Sequence, residues 1–170
     1  MRSVDCRAGL PLTFVVGRTQ WKIAYYHLSS HLGDEFLLKN MGYPRINYSR
    51  DVVVIGWSWY PADPLRVYAE AGWAFAVKES QPWEFQFGAE WAPARPTGFF
   101  GAPFAAVNGY LREEVDFGGS LTAQVGWAWR SAAAAQLLRV GLEYYHGSSR
   151  QFSFYPENEE EIALGIWYDF

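Results

Sequence analysis

The residues able to do chemistry gather in one short stretch. "WKIAYYHLSSHLGDEF", Trp21 to Phe36, sets His27 and Ser29 two apart and follows them with two carboxylates, Asp34 and Glu35. On one face of an extended strand such a pair lies about 6.5–7 Å apart along the backbone, a gap the two side chains can close to a hydrogen bond. That is the arrangement of a hydroxyl nucleophile with its general base. A third group must orient the imidazole. If segments 20–32 and 45–60 form a hairpin about the middle of 33–44, Asp51 falls opposite His27 and Ser49 opposite Ser29. A shift of two residues would put Ser49 or Val53 opposite His27 instead. The candidate catalytic set is Ser29 as nucleophile, His27 as base and Asp51 as orienter. The same residues also suit a plainer role, as polar groups where a strand leaves a membrane. A second His-x-Ser, His146-Gly147-Ser148, competes with the first. Asp34 and Glu35 are either carboxylates for Ca²⁺, bridging to lipopolysaccharide through divalent ions, or a solvated loop tip.

Composition narrows the classes. The 170 residues suffice for a single domain spanning 1–170, and no linker or low-complexity run divides them. A net charge of -4 gives no basic field for nucleic acid. The lone Cys6 excludes an internal disulfide and a cysteine-based zinc cluster. No apolar run reaches the roughly 18 residues of a membrane helix, a test that a barrel of alternating strands evades. Nothing resembles a phosphate loop or a redox motif. No cofactor is expected, apart from Ca²⁺ if the chain is a hydrolase.

Period-2 alternation dominates the elements that must position these residues. Nine strands are predicted, near 4–16, 20–32, 45–60, 65–78, 82–91, 102–112, 119–130, 135–146 and 160–170. In 82–91, for example, Trp83, Phe85, Phe87, Ala89 and Trp91 oppose Glu84, Gln86, Gly88 and Glu90. The only helix-like run, "SAAAAQLLRV", is short.

Alternation alone does not say which face is inside. The polar faces are rich in Gly and Ala as well as opposite charges, which suits a crowded lumen. The apolar faces often end in Trp, Tyr or Phe, as interfacial girdles do. An Arg or Lys turned to lipid costs about 2–4 kcal/mol at the midplane. A one-residue slip would turn Arg66, Glu70, Glu84, Arg139 and Glu143 outward together. The expected fold is an all-β, antiparallel up-and-down transmembrane β-barrel of about 8–10 strands, with the apolar faces outward, in a bacterial outer membrane. A soluble barrel or sandwich is the competing architecture. The loops at 33–44 and 147–159 are expected outside the cell, and 17–19, 61–64 and 131–134 as short periplasmic turns. The odd strand count and the poor export signal in "MRSVDCRAGLPLTFVVG" suggest that at least one N-terminal strand lies outside this sequence.

Two resemblances add to this reading. "LPLTF" (10–14), "YYHLSSHLGDEF" (25–36), "RINYSRD" (45–51) and "GIWYDF" (165–170) resemble the family called domain of unknown function 1207. That resemblance implies a bacterial surface barrel, carries no established activity, and implies longer members that begin with an export signal. More locally, His27-Leu28-Ser29 in its strand resembles outer-membrane phospholipase A and lipid A 3-O-deacylase, which place a His-x-Ser pair on the outer wall of a barrel. Two functions follow. One is a structural or surface-binding barrel that meets membrane lipids and lipopolysaccharide. The other is a serine-dependent lipid acyl hydrolase. Oligomeric state is not legible.

Overall fold

Residues that alternate between apolar and polar can satisfy their backbone only by pairing with neighbours in a sheet. In the computed structural model, which describes residues 2–131 and 136–169, they do so in one continuous sheet, with local register shifts between the third and fourth strands. Nine strands form one antiparallel sheet in chain order, curled into a half-barrel. They are β1 (Ser3–Val16), β2 (Thr19–Leu32), β3 (Tyr48–Ala62), β4 (Leu65–Lys78), β5 (Trp83–Trp91), β6 (Ala102–Arg112), β7 (Gly119–Arg130), β8 (Leu137–Ser148) and β9 (Asn158–Asp169). The all-β, up-and-down fold expected from alternation is therefore observed. Among the described residues, β1 and β9 each have one paired neighbour, and with nine strands the two edges run in the same direction.

Several boundaries differ from expectation. β3 begins at Tyr48 and runs through Pro61 to Ala62, which shortens the expected 61–64 turn to Asp63-Pro64. β8 extends to Ser148, so His146 lies inside the strand. A helix unannounced by periodicity, α1 (Asp34–Lys39), sits in the β2–β3 connection. Its six residues are too few to show a period. Asp34 and Glu35 in its first turn and Lys39 in its last complement its dipole. The expected turn at 131–134 and the closing Phe170 fall mostly or wholly outside the described residues.

The apolar faces point away from the curl. Ile55 is 59% exposed and Leu164 76%, whereas Arg50 is wholly buried on the inner face. What fills the inside is a charged network. Glu84 of β5 accepts hydrogen bonds from Tyr26 of β2 (2.6 Å) and Tyr110 of β6 (2.5 Å). Arg50 of β3 lies 3.4 Å from Glu84 and 3.8 Å from Glu114. Tyr48 receives a hydrogen bond from Arg50 (3.0 Å) and donates one to Glu114 (2.7 Å). Farther along the interior, Lys22 meets Glu70 at 2.5 Å, and Arg139 of β8 reaches Glu90 of β5 at 3.8 Å.

One end of the curl is covered. The β8–β9 connection folds through a short 3₁₀ turn, Phe152–Phe154, onto β2, where Ser153 Oγ meets Ser30 Oγ at 2.6 Å. Phe154 packs edge-on against Phe36 of α1 at 5.3 Å. Tyr43 donates to Glu157 at 2.8 Å, and partial burial together with that carboxylate pushes its phenol up to about 12.

The shared carboxylate yields a direct prediction. Glu84→Ala strands the Tyr26 and Tyr110 hydroxyls in the interior and leaves buried Arg50 with Glu114 at 3.8 Å as its one carboxylate neighbour, so unfolding stability in urea should fall by about 3–5 kcal/mol. A loss below about 1 kcal/mol, the scale of an ordinary hydrogen bond, would show that the network is not what holds the curl.

Candidate functional site

Strand parity sets the site. Tyr26, Leu28 and Ser30 of β2 are buried on the inner face, so Tyr25, His27 and Ser29 project from the outer wall near the loop end. On β3, Tyr48, Arg50 and Val52 are likewise buried inward, which leaves Ser49 and Asp51 outward. The two strands pair with His27 opposite Asp51 and Ser29 opposite Ser49.

The geometry joins two members of the expected set directly. His27 Nδ1 lies 3.0 Å from Asp51 Oδ1, with the two side chains 45% and 25% exposed. A carboxylate only accepts, so this bond assigns the neutral ring's proton to Nδ1 and leaves Nε2 as the basic nitrogen. Among the described residues no hydrogen bond joins Ser29 to His27. The bond that would activate Ser29 must form by rotation of partly exposed side chains, a picosecond-to-nanosecond event.

Two further residues enter the site. The Tyr25 hydroxyl donates to the same Asp51 Oδ1 at 2.7 Å, so the carboxylate is held from two sides. Tyr25 stacks on Phe75 with centroids 6.3 Å apart. Phe75 lies where the β3–β4 register shifts, between Asp51 opposite Ala76 and Val52 opposite Ala74. Such a bulge bends a strand and re-aims its side chains, and here it falls beside Asp51. The second residue is Cys6, exposed and directly opposite Ser29 on β1. Both were within reach of the sequence. Tyr25 shares the face of His27 and is a diagonal neighbour of Asp51. Cys6 follows from folding 4–16 back on 20–32 about Gly17-Arg18.

The competing motif is arranged differently. His146 is exposed on the outer face opposite Glu160, but Ser148 is only 7% exposed and its carbonyl accepts the Tyr145 hydroxyl. Asp34 and Glu35 belong to the first turn of α1. Among the described residues no group of three or more His, Cys, Asp or Glu is placed to hold a metal. Two carboxylates fall short of the roughly six to eight oxygens that Ca²⁺ takes. The donors present do not by themselves make a calcium site.

Residues 3–170 match the family described as "Protein of unknown function (DUF1207)", and the chain belongs to that family. No curated protein and no solved structure matches it.

Proposed function

We propose that this family member forms the wall of an outer-membrane β-barrel, with a structural or surface-binding role at the loop end. The observation that carries this reading is the outer face. Large apolar side chains on every strand are exposed together, among them Leu12, Ile23, Ile55, Phe87, Val125 and Leu164. Soluble monomers rarely expose contiguous apolar patches beyond a few hundred Å². Charged outer-face groups such as Asp51 and Glu160 lie toward the loop end, where lipid headgroups and lipopolysaccharide would meet them. Trp59 and Trp91 toward the turn end, and Trp73 and Trp83 toward the loop end, lie where interfacial girdles would sit. Lipid also requires both sheet edges to be paired. Closing β1 directly on β9 would make a parallel seam, and an all-antiparallel wall takes an odd number of further strands.

A second reading has its own observation, the His27–Asp51 contact at 3.0 Å. The wall would then be a lipid acyl hydrolase. Ser29 Oγ attacks an acyl ester carbonyl while His27 Nε2 takes the hydroxyl proton. The acyl–oxygen bond breaks as His27 returns that proton to the leaving alcohol. Water, deprotonated by His27, then releases the fatty acid and restores Ser29. Asp51 holds the imidazole and stabilises its charged form, and Tyr25 holds Asp51. Ca²⁺ would need ligands beyond Asp34 and Glu35, and no step runs through it.

The two readings have separate tests. Refolded in detergent, the chain should migrate faster unheated than boiled on a denaturing gel. A chain that stays soluble and monomeric without detergent would overturn the barrel-wall reading. Under the hydrolase reading a fluorophosphonate labels Ser29, Ser29→Ala abolishes lipid turnover with the gel shift intact, and alkylation of Cys6 blocks the label by crowding. A folded chain that takes no label at Ser29 leaves the structural role standing alone.

A further inference from the structure

The inner face holds a cavity of about 540 Å³ behind β1, within the range of small-molecule sites. Four basic side chains, Arg7, Lys22, Arg112 and Arg150, line it against two acidic ones, Glu70 and Glu84. Their partners decide what the cavity can take. Lys22 is held by Glu70, and Glu84 belongs to the Arg50 network. Arg150 pairs with Glu143 at 2.5 Å. Arg112, 4% exposed, lies 3.3 Å from Glu114, but its Nη1 makes no hydrogen bond. Arg7 differs from all of these. Arg7 is exposed, and among the described residues its guanidinium has no carboxylate and no hydrogen-bond acceptor; its Cζ lies over the Tyr26 ring, 3.9 Å from the centroid.

That stacking repeats around the cavity. Arg112 lies over Phe152 at 5.1 Å and Arg150 over Tyr145 at 4.1 Å. A guanidinium stacked on a ring keeps its N–H edge free for a planar or tetrahedral oxyanion. The rest of the lining includes amide and hydroxyl groups, Gln86, Asn108, Ser120 and Thr122, which suit the hydroxyls of a sugar. An inorganic ion would leave most of the volume empty, and a fatty acid would leave these polar groups unpaired.

We propose that the cavity behind β1 binds a soluble anionic sugar, a phosphate or a carboxylate, with Arg7 as the anchor of its charge. The site lies on the opposite face of the sheet from His27 and requires only the curled sheet. It is independent of the hydrolase reading.

The test is calorimetric titration of the refolded chain, in a detergent without phosphate, with glucose 6-phosphate, glucuronate, glucose and inorganic phosphate. At least one anionic sugar should bind saturably, and glucose and inorganic phosphate should bind more weakly. Arg7→Gln lies on an exposed edge strand and should keep the gel shift while weakening the anion about tenfold or more, the loss of roughly 1.4 kcal/mol. Absence of saturable binding by either anionic sugar would overturn the proposal. So would equal affinity for glucose, equal affinity for inorganic phosphate, or affinity unchanged in a folded Arg7→Gln variant.

Discussion

The Glu84 carboxylate and the Arg50 guanidinium beside it are the constraint on which the rest of the molecule depends. Both are buried, Arg50 completely. A buried charge without a partner costs several kcal/mol, so these groups are tolerable only together, and only with the hydroxyls of Tyr26, Tyr110 and Tyr48 around them. Those five residues come from β2, β3, β5 and β6, and Glu114 closes the set from the β6–β7 connection. Bringing them together requires the sheet to curl. It also requires room. Gly72 faces Glu84 across the β4–β5 pair, and a Cβ there would meet Glu84 Oε1 at 2.5 Å. The small residues on the polar faces are the space that the interior carboxylates and rings occupy.

This accounts for what alternation could and could not reveal. A period of two marks out the strands, and a hairpin folded about the middle of its connection offers the pairing of His27 with Asp51 that the structure adopts, though period alone leaves shifts by two residues open. It fixes the faces as well, because a slip of one residue would expose Arg50 and Glu84 and bury a stripe of tryptophans. Pattern is silent where the period breaks. The register shift beside Phe75 leaves no mark in the sequence: the pattern of Trp73, Phe75 and Val77 places all three on one face, whereas the shift pairs Val77 with inward Arg50 and Lys78 with outward Ser49. The fold of the β8–β9 connection onto β2 joins Ser30 to Ser153, 123 residues apart, and no local signal reports such a contact. That Arg7 meets no carboxylate among the described residues was equally invisible, because an alternating strand shows that a cation faces inward and not whether a carboxylate waits there.

The two faces then divide the chemistry. Outside, the polar groups of Tyr25, His27, Ser29 and Asp51 lie at the rim of an apolar surface, where an imidazole and a carboxylate stay partly solvated. Inside, the same strands present Lys22, Tyr26 and Arg50. Adjacent residues therefore serve opposite faces of the sheet. Tyr25 braces Asp51 on the wall while Tyr26 braces Glu84 in the lumen.

Such adjacency couples the sites through the backbone, because the interior network is what forces His27 and Asp51 outward in register. Arg50 is the residue before Asp51, and Tyr26 is the residue before His27. Loosening the interior pair would free both strands to shift at the point where the bulge already bends β4. The outer contact, a single hydrogen bond between partly exposed groups, is worth only about 0.5–1.5 kcal/mol and could not hold the register alone. The lumen network holds the outer pair, and the dependence runs in that direction only. His27 and Asp51 could be lost with the sheet intact, whereas Glu84 could not be removed without loosening the site on the other face.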